Sequence, residues 1–128
     1  MPRVLVIDDD KLVREMSRIL LSAQGYDVVL AEGGASGIEA ARSGQFDVAI
    51  VDLFMPDMNG LKVIGTIRQS NPNIRMIAAS GFMFEGTCPP MPNFDSMAQE
   101  AGAVATLYKP FRPADLLRAV EQALRKAA

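Results

Sequence analysis

Short apolar runs alternate with longer amphipathic stretches along the whole chain. The runs are four to six residues rich in Val, Ile, Leu, Ala and Met, which is typical of strands buried on both faces of a parallel sheet. The stretches between them place apolar residues three or four positions apart, as helices that cover a sheet do. The predicted strands are residues 4–7, 27–31, 46–51, 74–79 and 104–107.

Five helices are predicted between and after these strands. The first begins behind Asp10 as N-cap, ends at Gly25, and buries a stripe formed by Leu12, Met16, Ile19, Leu20 and Ala23. The others cover residues 35–42, 61–68 and 95–101, and run from Pro113 towards the C-terminus. Right-handed crossovers then predict a doubly wound α/β fold. It is a five-stranded parallel sheet with helices on both faces, a flavodoxin-like (βα)5 three-layer sandwich, expected to form one domain over residues 1–128 without an output domain.

Polar side chains stand where the predicted strands end. Asp8 and Asp9 follow the first strand, Asp52 the third, Ser80 the fourth and Lys109 the fifth. The carboxyl ends of parallel strands meet at one edge of a sheet, so these side chains are expected to share one crevice. Clustered carboxylates repel one another unless a cation lies between them, and oxygen ligands suit Mg²⁺. A lysine at a buried strand end also needs an anionic partner, which the carboxylates supply.

The segment after the third strand adds a backbone ligand to this site. Its sequence, Asp-Leu-Phe-Met-Pro-Asp-Met-Asn-Gly over residues 52–60, is expected to turn the Asp52 side chain and the Phe54 carbonyl towards the same point. Asp57 and Asn59 are interpreted as turn residues. Pro110 directly follows Lys109, so the bond between them can be cis.

Composition removes several classes of function. The 128 residues include no histidine and one cysteine, Cys88, so a Ser-His-Asp triad, a histidine-ligated zinc and a phosphohistidine on this chain are excluded. The net charge of −2 argues against nucleic acid as a partner. No apolar run approaches the roughly 18 residues of a membrane span. The sequence therefore predicts a cytoplasmic protein without a membrane or nucleic-acid partner.

Four motifs occur in order: the acidic pair, Asp-x-x-Met-Pro-x-x-x-Gly, the serine, and Lys-Pro-Phe. With them, residues 3–127 resemble the receiver domain of two-component response regulators. The resemblance implies that Asp52 accepts a phosphoryl group from a sensor histidine kinase, a histidine phosphotransfer protein or a small phosphodonor. It implies that Asp9 binds Mg²⁺ directly, with Asp8 acting through metal-bound water and the Phe54 carbonyl as a further ligand.

The resemblance also assigns the two remaining strand ends. It implies that the Ser80 hydroxyl bonds a phosphoryl oxygen and moves inward on phosphorylation. It implies that Lys109 pairs with Asp52 before transfer and with the phosphoryl group afterwards. Both roles agree with the need to offset charge on a transferring phosphoryl group.

The chain departs from the family pattern beyond Ser80. Thr106 occupies the position of the usual switch aromatic, and Tyr108 is expected on the same face of the fifth strand. Lys109 follows Ser80 by 29 positions, a longer interval than is usual, and the extra residues form a predicted loop over residues 81–93. The apolar side chains in and beside it either return to the core or form a partner-binding patch; they are Phe82, Met83, Phe84, Met91 and Phe94.

Two phenylalanines are expected to flank the phosphoryl group. Phe54 lies two positions after Asp52, and Phe82 lies two positions after Ser80. The resemblance implies that these positions influence how water reaches the phosphoryl group. Two bulky apolar rings there predict slow autodephosphorylation.

The favoured interpretation is a stand-alone receiver that signals through contact with an unknown protein target or through a phosphorelay, with no enzymatic activity beyond its own phosphorylation and dephosphorylation. A Mg²⁺-dependent phosphohydrolase with Asp52 as nucleophile is less favoured, because no general acid is placed to protonate a leaving group. A flavodoxin-like cofactor binder is less favoured because no glycine-rich phosphate loop follows the first strand.

Overall fold

The computed structural model describes residues 1–80 and 94–126, and the side chains of all of these except Phe94 and Asp95. Strands and helices alternate along the chain. In order they are β1 Arg3–Ile7, α1 Lys11–Ala23, β2 Asp27–Ala31, α2 Gly34–Ser43, β3 Val48–Asp52, α3 Gly60–Ser70, β4 Arg75–Ser80, α4 Phe94–Ala101, β5 Ala103–Tyr108 and α5 Pro113–Arg125. The sheet order is β2-β1-β3-β4-β5 and every pairing is parallel. The predicted fold class is confirmed.

The described core lies on the two faces of this sheet. Leu5 and Ile7 of β1 pack into the cluster that receives α2, α3 and α4, whereas Val4 and Val6 pack into the cluster that receives α1 and α5. Successive side chains of a strand point to opposite faces, so a strand covered on both sides must be apolar throughout. The strand prediction succeeded for this reason.

The facing of α1 differs from the prediction. Leu12 and Ile19, assigned to the buried stripe, are 79% and 59% exposed, and the buried residues of the helix are Ser17 and Leu21. Leu20 of the predicted stripe does pack against the core, but the fully buried residues lie one position further along, about 100° around the helix. Hydrophobicity alone could not choose between the two lines, because the true one includes a buried serine.

The predicted ends of α1 are confirmed. The Asp10 side chain accepts a hydrogen bond from the Leu12 amide at 2.9 Å, and Gly25 has a positive φ of 90° just beyond the helix. Within the described residues, no helix combines the length and apolar character needed to cross a membrane. The extended loop predicted over residues 81–93 lies outside the described residues, as do its apolar side chains and Cys88.

Candidate functional site

Three carboxylates meet at the carboxyl edge of the sheet. One oxygen from each of Asp8, Asp9 and Asp52 lies within 4.8 Å of the others. Asp52 is the last residue of β3, and Asp8 directly follows the last residue of β1. The residues before them, Val51 and Ile7, are paired in register, so the two aspartates leave adjacent strands at the same level. Asp8 and Asp52 are each 3% exposed, whereas Asp9 faces solvent. The strands therefore bring together the acidic groups that the sequence placed at their ends.

Lys109 reaches into the same crevice from the end of β5. Its Nζ lies 2.6 Å from Asp8 Oδ2 and 3.4 Å from Asp52 Oδ2. Its backbone amide donates to the Ser80 carbonyl at 3.0 Å, and its bond to Pro110 is cis. Asp8 is thus the closer partner of this ammonium, and Asp52 the more distant one.

Backbone and side-chain donors fix the orientation of Asp8. The Asp10 amide donates to Asp8 Oδ1 at 2.9 Å, and Arg14 of α1 donates through Nη1 to the Asp8 carbonyl at 2.8 Å. The Arg14 contact was not predicted from the sequence. Its only signal was spacing, because a residue one turn into α1 faces back towards the end of β1.

The charges in the crevice do not balance. Burial, reinforced by the negative charge of Asp8, raises the pKa of Asp52 to about 7, although Lys109 and the Phe54 amide act in the opposite direction. Burial lowers the pKa of Lys109, but the carboxylates of Asp8 and Asp52 outweigh it and the pKa is raised overall. The Lys109 ammonium thus pairs with two buried carboxylates, and Asp9 adds a third carboxylate at the surface. This oxygen-rich, under-compensated set fits a hard divalent cation such as Mg²⁺.

The loop after β3 is closed at its base. The Phe54 amide donates to Asp52 Oδ1 at 3.1 Å, and the Gly60 amide donates to the Leu53 carbonyl at 3.1 Å. A Cβ at Gly60 would lie 2.4 Å from Leu53 Cα and 2.5 Å from the Asp52 carbonyl oxygen. Only glycine allows the chain to pass this close to the strand end that carries Asp52.

Two loop residues do more than form a turn, which corrects the prediction for them. Asn59 is the N-cap of α3 and accepts from the Leu61 amide at 2.8 Å. Asp57 accepts from the amides of Gly34 and Ala35 at 3.1 and 3.2 Å, and these bonds lower its pKa. Its partners lie more than 20 positions away in the chain, so local sequence could not identify them.

Of the remaining residues that the sequence singled out, Ser80 ends β4, and Thr106 and Tyr108 lie on β5. Ser80 is buried at the end of β4 and pairs in register with Tyr108. Thr106 and Tyr108 both line a cavity of about 340 Å³ between β5 and α5, and Tyr108 is 48% exposed. The Phe54 side chain is 45% exposed, while Phe82 lies outside the described residues.

Known proteins share this sequence and architecture. The family described as the response regulator receiver domain matches residues 4–121. The DNA-binding response regulator MtrA of Mycobacterium tuberculosis strain H37Rv is 31% identical over 125 residues, which are 97% of this chain and 51% of that protein. The response regulator MprA of Mycobacterium sp. strain KMS is 30% identical over 131 residues, covering 98% of this chain and 52% of that protein. This chain thus spans about half the length of these curated relatives.

Solved structures show the same likeness. A CheY-like receiver domain protein from Methanospirillum hungatei superposes with a TM-score of 0.86 at 26% identity, covering 97% of this chain and 94% of that one. The chemotaxis protein CheY4 of Vibrio cholerae superposes with a TM-score of 0.85 at 28% identity, covering 97% and 99%. The chain belongs to the response regulator receiver family, in which chemistry is typically limited to phosphotransfer.

Proposed function

We propose that this receiver accepts a phosphoryl group on Asp52 in a Mg²⁺-dependent reaction. The observation that carries the proposal is the placement of Asp52, buried at the end of β3 within 4.8 Å of Asp8 and Asp9 and 3.4 Å from the Lys109 ammonium. An Asp52 oxygen bonds to phosphorus as the bond from phosphorus to the donor's nitrogen or oxygen breaks. The product is an acyl phosphate.

Some groups of the site would bind Mg²⁺ directly and another through a water molecule. Asp9, Asp52 and the Phe54 carbonyl would bind it directly, and Asp8 would act through a metal-bound water. Asp8 Oδ1 and Oδ2 already accept bonds from the Asp10 amide and Lys109, which supports the indirect role. When bound, Mg²⁺ offsets negative charge on the phosphoryl oxygens.

Lys109 and Ser80 act on the phosphoryl group itself. The Lys109 ammonium lies between Asp8 and Asp52, so a short movement would take it from a carboxylate to a phosphoryl oxygen. The Ser80 hydroxyl, at the end of the neighbouring strand, would donate to another phosphoryl oxygen. Both groups stabilise charge that is present when the phosphoryl group is in place.

The phosphoryl donor and the signalling target are other molecules. The chain has no histidine, so a phosphohistidine donor must belong to a sensor histidine kinase or a histidine phosphotransfer protein. The signal would pass onwards through protein contact or a phosphorelay. Stand-alone action stays a prediction, since the curated relatives are about twice as long as this chain. A cytoplasmic location stays a prediction as well.

Labelling by a small acyl-phosphate donor, with and without Mg²⁺, tests the acceptor. We expect the wild-type protein to be labelled only with Mg²⁺ and Asp52→Asn to be unlabelled. Asp27→Asn is the matched control, because Asp27 is the first residue of β2 and lies at the amino ends of the strands, away from the crevice. Loss of the Asp27 carboxylate should leave labelling unchanged. Labelling of Asp52→Asn at the wild-type level would overturn the assignment. Phosphotransfer from purified histidine kinases then identifies the donor.

A further inference from the structure

The tip of the β3–α3 loop is tied to helix α2 by one carboxylate. Asp57 Oδ1 accepts from the Gly34 amide at 3.1 Å, and Oδ2 accepts from the Ala35 amide at 3.2 Å. These are the first two residues of α2, whose amides have no partner within the helix. The N-cap residue Gly33 has no side chain to accept them, so a side chain from another loop does so.

Glycines at the start of α2 allow the loop to approach. A Cβ at Gly33 would lie 3.0 Å from both Asp57 carboxylate oxygens, and a Cβ at Gly34 would lie 2.7 Å from Met58 Cβ. The helix backbone therefore packs directly against the loop. The loop and the helix are therefore in close van der Waals contact, which any side chain larger than glycine at Gly33 or Gly34 would disturb.

The same loop orients the phosphoacceptor. The Phe54 amide donates to Asp52 Oδ1 at 3.1 Å, and Phe54 forms an isolated antiparallel bridge with Asn59. The direction of the Asp52 carboxylate thus depends on where the loop holds its Phe54 backbone. Asp57 lies between Phe54 and Asn59 and fixes the outer end of that loop to α2.

We propose that Asp57 is a positioning residue for the phosphoacceptor site. By binding the start of α2 it keeps the Phe54 backbone placed against Asp52, so that the Asp52 carboxylate and the Phe54 carbonyl meet the cation together. Asp57 acts through the loop and does not itself bind the metal or the phosphoryl group. The inference rests on the proposed function, since it assigns a role in that site.

Magnesium titration of the whole chain tests this role. Calorimetry should show a Mg²⁺ dissociation constant about tenfold higher in Asp57→Ala, as found when groups that orient metal ligands are removed. Asp57→Asn keeps one side-chain oxygen as acceptor and should recover part of the affinity. The labelling rate of Asp57→Ala should fall most at low Mg²⁺ and least at saturating Mg²⁺.

Asp115→Ala provides a matched control. Asp115 Oδ2 accepts from the Arg112 amide at 3.0 Å at the start of α5, so this variant loses the same kind of bond away from the Asp52 loop. It should leave the Mg²⁺ dissociation constant unchanged. In amide NMR spectra, the signals of Asp52 and Phe54 should shift in Asp57→Ala and stay in place in Asp115→Ala.

The outcomes separate this inference from the function on which it rests. Wild-type Mg²⁺ affinity in Asp57→Ala, or an equal loss in Asp115→Ala, overturns the positioning role while leaving the receiver chemistry intact. A wild-type protein that neither binds Mg²⁺ nor becomes labelled overturns the proposed function, whatever Asp57→Ala does.

Discussion

The floor and the rim of the crevice are held together in different ways. The floor is formed by the buried carboxylates of Asp8 and Asp52 and by the partly buried Lys109, and it is held by ion pairs between side chains. The rim, formed by Phe54 and Asp57, is exposed and is held by backbone amides. Substitutions in the floor should therefore change folding stability and its pH dependence. Substitutions in the rim should change the reaction and leave stability nearly unaltered.

Lys109→Met should have the largest effect on stability. It removes the ammonium that lies 2.6 Å from Asp8 and 3.4 Å from Asp52 and leaves both carboxylates buried without it. Breaking a buried pair in this way lowers the free energy of unfolding by about 3–5 kcal/mol. Urea unfolding without Mg²⁺, at a pH above the pKa of Asp52, measures the loss.

The control for this substitution is Lys62→Met on the exposed side of α3. An exposed lysine should change the free energy of unfolding by no more than about 0.5 kcal/mol. Mg²⁺ should restore part of the stability lost in Lys109→Met, because it supplies positive charge to the same carboxylates. Equal stability of Lys109→Met and the wild-type protein would show that pairing does not hold the floor.

The raised pKa of Asp52 predicts that stability falls as pH rises. In the folded protein this pKa is about 7, against an ordinary value of 3.8, so between these values the folded chain holds a proton that the unfolded chain releases. The free energy of unfolding should therefore fall through this window, by a few kcal/mol at most, and level off above it. Lys109 stays charged throughout, because its pKa is raised above 10.5.

Comparison of the wild-type protein with Asp52→Asn at each pH separates the contribution of Asp52 from that of the other titrating groups. The difference in unfolding free energy between the wild-type protein and Asp52→Asn should slope with pH, and saturating Mg²⁺ should flatten it by favouring the ionised carboxylate. A flat difference without Mg²⁺ would mean that the Asp52 carboxyl keeps its ordinary pKa in the fold.

Gly60→Ala tests the point where the rim loop rejoins the floor. The added Cβ would meet Leu53 Cα and the Asp52 carbonyl, which are backbone atoms that cannot rotate away. We expect the free energy of unfolding to fall by about 1–3 kcal/mol, as in other overpacked sites. Gly65→Ala, in the same helix with nothing within 4 Å of its Cβ, should instead gain about 0.5–1 kcal/mol. Urea unfolding of both variants should give changes of opposite sign.

The floor could be predicted from the sequence because its residues follow buried strands. Asp8, Asp52 and Lys109 each come at or just after the end of an apolar run, and parallel topology carries such positions to one edge. The pattern of short apolar runs is strong, because both faces of the sheet are covered. Fold and floor therefore follow from local pattern and topology together.

The contact between Asp57 and α2 and the facing of α1 could not be predicted in this way. The partners of Asp57 are backbone amides of α2. Almost every residue type carries such an amide, so the residue types at these positions do not indicate the contact. The facing of α1 depends on burial of Ser17, which hydrophobicity assigns to the surface. Both depend on contacts between segments that are distant in the chain.

Phe54→Ala should have the smallest effect on stability and a clear effect on the phosphoryl group. The Phe54 ring is 45% exposed, and its backbone amide, not its ring, bonds to Asp52, so the free energy of unfolding should change by no more than about 0.5 kcal/mol. Because we predict that the ring limits the access of water to the acyl phosphate, its removal should open a path for in-line attack. The phosphorylated protein should then lose its label several-fold faster than the wild-type protein.

Leu12→Ala is the control for that measurement. Leu12 is 79% exposed on the first turn of α1, so the variant removes an exposed apolar side chain without changing the residues around Asp52. Its label should decay at the wild-type rate. If Phe54→Ala also decays at that rate, the ring does not shield the phosphoryl group, and the slow dephosphorylation predicted for this receiver must depend on residues outside the rim.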